Sequence, residues 1–269
     1  MRKKTKRLTP LQLGIFLVLA VIFVLARLVF PGFNKASLEN NSSPSSDSKA
    51  TTPPLFIPGQ STVTQANQTA AAQWLPSSLP FDYFVLSLSW APEYCASNGN
   101  QDQQECGLGK NRGFVLHGLW PENNHGYPSH CSNQKLDPSD TVQFSGLFAN
   151  DSLIEHEWET HGTCSGLPSR QYFLLAQQLK QSIVIPNRYQ SPSNAFRNTT
   201  DGLVNEFVSA NSGLSNTSIA VNCSAPGRYL NELRVCFTRD GKPTACGMDV
   251  VKNMGQSCGN SDFLIRNTN

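Results

Sequence analysis

The stretch FVLHGLWPE, residues 114–122, joins a strand-like run to a titratable side chain. Residues 113–117 are apolar up to His117 and predict a short strand. Residues 81–90 alternate and then become continuously apolar, which predicts a second, buried strand. The sequence therefore places His117 at the end of a strand.

Other segments outside this stretch predict helices and a hairpin. Residues 170–183 fit an amphipathic helix, and Thr200 is a candidate cap for another helix over residues 201–210. Residues 233–237 and 244–246 flank a polar turn, which predicts a hairpin. The elements show no βαβ rhythm, so the predicted fold class is α+β: a central, mostly antiparallel sheet with packed helices in a single disulfide-stabilised domain.

The first 78 residues have three distinct compositions. A basic tail, residues 1–10, precedes an apolar segment, residues 11–30, and this order predicts a cytoplasmic tail with the remaining chain exported. The apolar segment reads as a signal anchor or a signal peptide, and we favour the anchor because no small-x-small cleavage site follows it. Residues 31–78 predict a flexible low-complexity linker, and residues 79–269 a globular domain.

The charge of the exported part differs from that of the whole chain, which is +2. Residues 1–30 hold six Lys and Arg and no acidic residue, so 15 basic and 19 acidic residues remain beyond them, a net charge of −4. A tight, nonspecific nucleic-acid binder is expected to be basic. Any contact with nucleic acid is therefore expected to be local.

All eight cysteines lie beyond the apolar segment, where an oxidising compartment favours disulfides. Their even number fits four bridges, but number alone does not fix the pairing. The chain has no C-x-x-C knuckle of the kind that a zinc ribbon needs. Cys236 and Cys246 flank the predicted turn, so antiparallel strands would bring these two together.

The five histidines all fall within residues 117–161. Histidine can both take and give a proton near neutrality, so such a cluster is suited to acid and base catalysis. Taken alone, any one of them is as well explained as a surface or metal-binding residue.

Two blocks resemble a known family. FVLHGLWPE, residues 114–122, and HEWETHGTC, residues 156–164, are similar to the two active-site segments of the ribonuclease T2 family, the acid ribonucleases of fungi, plants and bacteria. The likeness extends over residues 81–258. It implies that residues 79–269 are a ribonuclease domain that cleaves single-stranded RNA, without a metal or other cofactor, to 2′,3′-cyclic phosphates and then 3′-phosphates.

The resemblance assigns six residues to the site. It implies that His117, Glu157 and His161 are catalytic. It also implies that His156 contacts the phosphate, and that Trp120 and Glu122 contact bases.

The chemistry of RNA is consistent with this assignment. The ribose 2′-hydroxyl is the nucleophile, so two histidines of opposite protonation suffice, and we assign His161 as the base and His117 as the acid. If residues 156–161 are helical, Glu157 and His161 share a face, and the carboxylate can orient the imidazole. Thr160 departs from the family, in which many members have a Lys that helps to neutralise the phosphorane.

The resemblance to plant members also implies the disulfide pairing. The four expected bridges are Cys95–Cys106, Cys131–Cys164, Cys223–Cys258 and Cys236–Cys246. The second would link the loop after Trp120 to the end of the second block, and so fix the two halves of the site relative to each other.

Two other functions fit parts of the sequence. The first is a zinc hydrolase, because His156-Glu157 begins a zincin-like motif. On a helix, however, His156 and His161 would be about 140° apart instead of one turn apart on the same face. A noncatalytic RNA- or partner-binding member of the same fold is the other alternative, although such a protein has no need for both proton-transfer groups.

We expect a monomer that acts on RNA and not DNA. We expect it to be located outside the cytoplasm (periplasmic, extracellular or lumenal), and to be secreted or attached to the membrane through residues 11–30.

Overall fold

One sheet organises the part of the chain that the computed structural model describes, residues 80–98, 101–225 and 227–268. Its strands are β1 (Tyr83–Trp90), β2 (Phe114–Glu122), β3 (Phe196–Asn198), β4 (Ile219–Ser224), β5 (Tyr229–Phe237) and β6 (Phe263–Ile265). The α-helices are α1 (Ala91–Asn98), α2 (Gln103–Cys106), α3 (Pro138–Gln143), α4 (Ser152–Thr160), α5 (Ser169–Ser182), α6 (Thr200–Ala210) and α7 (Met248–Gly255). Short 3-10 turns cover Gly162–Cys164, Asn187–Tyr189 and Asn216–Ser218.

The strand order is β2-β1-β5-β6-β3, and β4 also pairs with β5. Each pairing is antiparallel except the contact between β5 and β6. The predicted α+β class with a mostly antiparallel sheet is therefore confirmed.

The two faces of the sheet differ in chemistry. On β1 the alternate residues Phe84, Leu86, Leu88 and Trp90 belong to the main hydrophobic core, together with the apolar side of α5. Burial of that apolar surface is the main source of stability for such a fold. The other face of β1 presents Ser87, which lies opposite Gly118 of β2 and Arg234 of β5. The candidate functional site lies on this face of the sheet, over the row formed by Gly118, Ser87 and Arg234.

A β-bulge sets the position of His117. Ser87 pairs with Gly118 and Leu88 pairs with Leu116, so His117 is the extra residue between them. A bulge bends the strand and redirects a side chain, and bulges are common next to active sites. The strand does not end at His117, as the sequence predicted, but continues to Glu122.

Two local predictions differ from the structure. Helix α6 begins at Thr200, and its cap is Thr199, whose Oγ1 accepts a 3.0 Å hydrogen bond from the Gly202 amide. The chain after β5 turns at Gly241, where φ is +78°, as predicted. Residues 244–246, however, form no strand, and only a single bridge joins Phe237 to Pro243. The partner of β5 on that side is instead β4.

Four disulfides join the described residues: Cys95–Cys106, Cys131–Cys164, Cys223–Cys258 and Cys236–Cys246. These are the pairs that the resemblance implied, and no free cysteine is left.

The predicted basic tail, apolar segment and linker, residues 1–78, lie outside the described residues. Within the described ranges, none of the helices is both long enough and apolar enough to span a bilayer.

Candidate active site

The two predicted imidazoles both contact one indole, that of Trp120. The ring centroid of His117 is 5.0 Å from that of Trp120, edge to face, and the ring centroid of His161 is 5.2 Å from it. The two half-buried imidazoles are thus within about 10 Å of each other. The fold brings together two blocks that are distant in the sequence.

Gly118 explains how strand β2 and helix α4 approach so closely. The indole Nε1 of Trp120 donates a 3.0 Å hydrogen bond to Oε2 of Glu157. A Cβ atom at position 118 would lie 2.2 Å from each of these two atoms. Only a glycine leaves room for the bond, which makes Gly118 a site residue that sequence reasoning did not single out.

His161 lies just beyond the helix that carries Glu157. Helix α4 ends at Thr160, and the His161 amide donates a 3.0 Å hydrogen bond to the Glu157 carbonyl as the helix cap. Oε1 of Glu157 and Nδ1 of His161 are both buried without a hydrogen-bond partner. Glu157 therefore accepts no hydrogen bond from Nδ1 of His161, and its Oε2 accepts one from the indole of Trp120.

Both imidazoles are easier to deprotonate than a free histidine. Burial lowers the pKa of His117, an effect that Glu232 opposes and Arg234 reinforces. Burial also lowers the pKa of His161, to about 4, and the neighbouring imidazoles of His156 and His117 lower it in the same direction. Desolvation disfavours the charged form of a base, which is the physical cause in both cases.

The pKa of Glu157 is shifted in the opposite direction, upwards. The side chain is fully buried, and burial raises its pKa to about 8; the indole hydrogen bond of Trp120 opposes the rise, and the charge of Glu232 adds to it. At acidic and neutral pH this carboxyl group is therefore protonated and able to donate a hydrogen bond.

Strand β5 supplies two charged groups that sequence reasoning missed. Glu232 is buried and accepts hydrogen bonds from the hydroxyl of Ser87 and from Nε of Arg234, the latter at 3.0 Å. The guanidinium carbon of Arg234 lies 4.7 Å from the Trp120 ring centroid. The one signal in the sequence was their spacing of two, which places both on one face of a strand.

Comparison with known proteins identifies the family of this chain. Residues 81–246 match the ribonuclease T2 family. A ribonuclease of Aeromonas hydrophila is 35% identical over 197 residues, which cover 69% of this chain and 86% of the relative. The chain belongs to the ribonuclease T2 family. It is an endoribonuclease.

Two further matches agree with the assignment. A probable ribonuclease of Haemophilus influenzae is 32% identical over 132 residues, which cover 44% of this chain but only 48% of that relative. The structure of trichomaglin, described as a novel S-like ribonuclease, matches with a TM-score of 0.50 and 25% identity, over 62% of this chain and 91% of that one.

Three other predicted residues of the ribonuclease lie around the imidazoles. His156 is exposed on α4, and its charge acts on both His117 and His161. Glu122 ends β2 and is buried, which raises its pKa to about 7, although Arg234 opposes the rise. Trp120 is only 8% exposed, so its ring offers little surface for stacking on a base.

A cavity of about 180 Å³ borders His117 in the ribonuclease. Its lining includes Leu153, Tyr94, Asp102 and Glu105. Glu105 is buried, its Oε1 has no hydrogen-bond partner, and burial raises its pKa to about 7, with a further rise from Asp102. The cavity therefore presents acceptors, and an unused carboxyl oxygen, beside a candidate catalytic group.

No group of three or more His, Cys, Asp or Glu side chains that could hold a metal ion occurs within the described ranges of the ribonuclease. His125 and His130 are exposed in the loop after β2.

Proposed function

We propose that this endoribonuclease cleaves single-stranded RNA by metal-independent transphosphorylation, forming 2′,3′-cyclic phosphates that are then hydrolysed to 3′-phosphates. The observation that carries the proposal is the pair of half-buried imidazoles, His117 and His161, whose ring centroids lie 5.0 Å and 5.2 Å from that of Trp120. A phosphodiester between two proton-transfer groups needs no other nucleophile than its own 2′-hydroxyl.

The proposed reaction is a proton transfer at each end of an in-line displacement. His161, neutral because of its lowered pKa, takes the proton of the 2′-hydroxyl while O2′ bonds to phosphorus. The P–O5′ bond breaks, and His117 gives its proton to the leaving O5′. In the second step the roles reverse, with water as the nucleophile and the P–O2′ bond as the one that breaks.

Glu157 assists in a different way from that expected from sequence. Because its pKa is raised to about 8, we assign it the neutral form, and its fully buried carboxyl group assists by holding the indole of Trp120 through the 3.0 Å hydrogen bond. His156, exposed beside both imidazoles, is proposed as a phosphate contact.

The substrate bases are proposed to lie beside the imidazoles. The cavity next to His117 is roomy enough for part of a nucleoside, and Glu105 offers an acceptor for base N–H groups. Glu122 remains the candidate base contact at the other end of β2. For Trp120 we replace base stacking with a positioning role, because its indole is 8% exposed and contacts both histidines as well as Glu157.

We propose an extracytoplasmic location on the basis of four disulfides that follow an apolar segment. Attachment through residues 11–30 and the monomeric state stay predictions.

The test compares RNA and DNA oligonucleotides of one sequence, each with and without excess chelator. The proposal predicts cleavage of RNA alone, at a rate that the chelator leaves unchanged. Cleavage of the DNA strand, or loss of activity that added metal restores, would overturn it.

A further inference from the structure

A permanent positive charge lies beside the candidate catalytic pair. The attacked phosphate gains a second negative charge in the phosphorane, whereas both imidazoles lose their protons readily. The charge of Arg234 acts on both His117 and His161 and lowers the pKa of each. We propose that the Arg234 guanidinium contacts the scissile phosphate and is a further catalytic residue of this ribonuclease, an inference that rests on the proposed function.

The sheet directs Arg234 towards the histidines. Arg234 of β5 and Gly118 of β2 both pair with Ser87 of β1, so the three residues share one rung and one face. The guanidinium carbon lies 4.7 Å from the Trp120 ring centroid. The side chain therefore crosses β1 and reaches the indole that both imidazoles contact.

A buried carboxylate holds the guanidinium by one nitrogen only. Nε donates to Oε1 of Glu232 at 3.0 Å, and the hydroxyl of Ser87 donates to the same oxygen. The hydrogen bond to Glu232 uses Nε, and the two terminal nitrogens of the Arg234 guanidinium have no protein acceptor among the described side-chain hydrogen bonds. The Arg234 side chain is 23% exposed and the Glu232 side chain 8%. A guanidinium held at Nε suits a bidentate contact with phosphate oxygens through its other two nitrogens.

A purely structural role makes a different prediction. If Arg234 only neutralises Glu232 and packs on Trp120, then removing both charges together should restore activity, because no buried charge is left unpaired. If Arg234 contacts the phosphate, removing Glu232 as well restores nothing. The double variant Glu232→Gln/Arg234→Gln therefore separates the two roles, and it avoids the unpaired carboxylate that could destabilise the single variant.

The experiment measures single-turnover cleavage of RNA by the full-length protein, and competitive inhibition by inorganic phosphate. We expect Arg234→Gln to cleave about 100-fold more slowly, as is usual for the loss of one charge-stabilising donor. The double variant should be about 100-fold slower than Glu232→Gln alone, with weaker inhibition by phosphate. Arg234→Lys should lie between, because it keeps the charge but not the planar fork.

The inference is overturned if the double variant cleaves within about threefold of Glu232→Gln and phosphate inhibits both equally. His117→Ala, assayed in parallel, tests the proposed function separately. If His117→Ala is inactive while the double variant is fast, only the role of Arg234 is wrong; if His117→Ala cleaves at the wild-type rate, the proposed function itself is wrong.

Discussion

The indole nitrogen of Trp120 donates a 3.0 Å hydrogen bond to the carboxyl of Glu157, and this bond joins strand β2 to helix α4 at the centre of the site. The two residues come from the two separate blocks that carry the histidines. Their contact fixes the distance between His117, on the strand, and His161, at the end of the helix.

Gly118→Ala tests the importance of that contact. The added Cβ would lie 2.2 Å from both bonded atoms, so the indole and the carboxyl group must move and their hydrogen bond is lost. Because a displacement of about 1 Å in catalytic groups can cost 10²-fold in rate, we expect kcat to fall by about that factor. Gly213→Ala is the matched control, since its Cβ would meet nothing closer than Pro243 Cγ at 3.7 Å. Equal activity of the two variants would show that the contact does not position the histidines.

The pH dependence of kcat/KM follows from the shifted histidines. The base must be deprotonated, which for His161 requires a pH above about 4. The acid must be protonated, which for His117 requires a pH below a pKa that burial places under its usual 6.5. Activity should therefore form a bell whose maximum lies between these limits, measured on a defined RNA oligonucleotide. A rate that still rises above pH 7 would contradict the assignment.

The Cys131–Cys164 bridge is expected to matter for rate as well as stability. It ties the loop after β2 to the turn that follows His161. Cys223–Cys258 is a matched control, because the two bridges close loops of nearly equal length, with sequence separations of 33 and 35. Replacing either pair by alanine should cost about 2–4 kcal/mol of unfolding free energy.

At a temperature where both variants remain folded, only the Cys131→Ala/Cys164→Ala protein should lose activity. Equal rates for the two variants in that assay would mean that the first bridge has no special relation to the site.

Much of the fold could be predicted because its signals are local. The apolar period of residues 170–183 indicated helix α5, Ser169–Ser182, within one residue at each end. Strands β3 and β6, of three residues each, are too short to show a period and form only because longer elements surround them.

The site residues within the two family-like blocks, residues 114–122 and 156–164, could be predicted from the sequence. Those on other elements could not. Glu232 and Arg234 reach the site only through the pairing of β5 with β1, which no local pattern shows. The raised pKa of Glu157 and the burial of the Trp120 ring both depend on packing, so neither could be predicted from the sequence.

The proposed pair should behave as one unit. His117→Ala and His161→Ala should each slow cleavage by several orders of magnitude, and the double variant should be little slower than the worse single one. His125→Ala is the control, because this histidine is exposed and its contact is with Asp249. If His125→Ala proved as damaging as His117→Ala, the acid would have to be reassigned.

The most direct test of the account is an end-group analysis on DNA oligonucleotides that contain one ribonucleotide, with each of the four bases in turn and excess chelator. Only the 2′-hydroxyl of that ribonucleotide can act as the nucleophile. We predict a single cut on its 3′ side, giving one fragment that ends in a 2′,3′-cyclic phosphate and another that begins with a 5′-hydroxyl. Cleavage at deoxynucleotide linkages, or fragments that begin with a 5′-phosphate, would contradict the proposed mechanism.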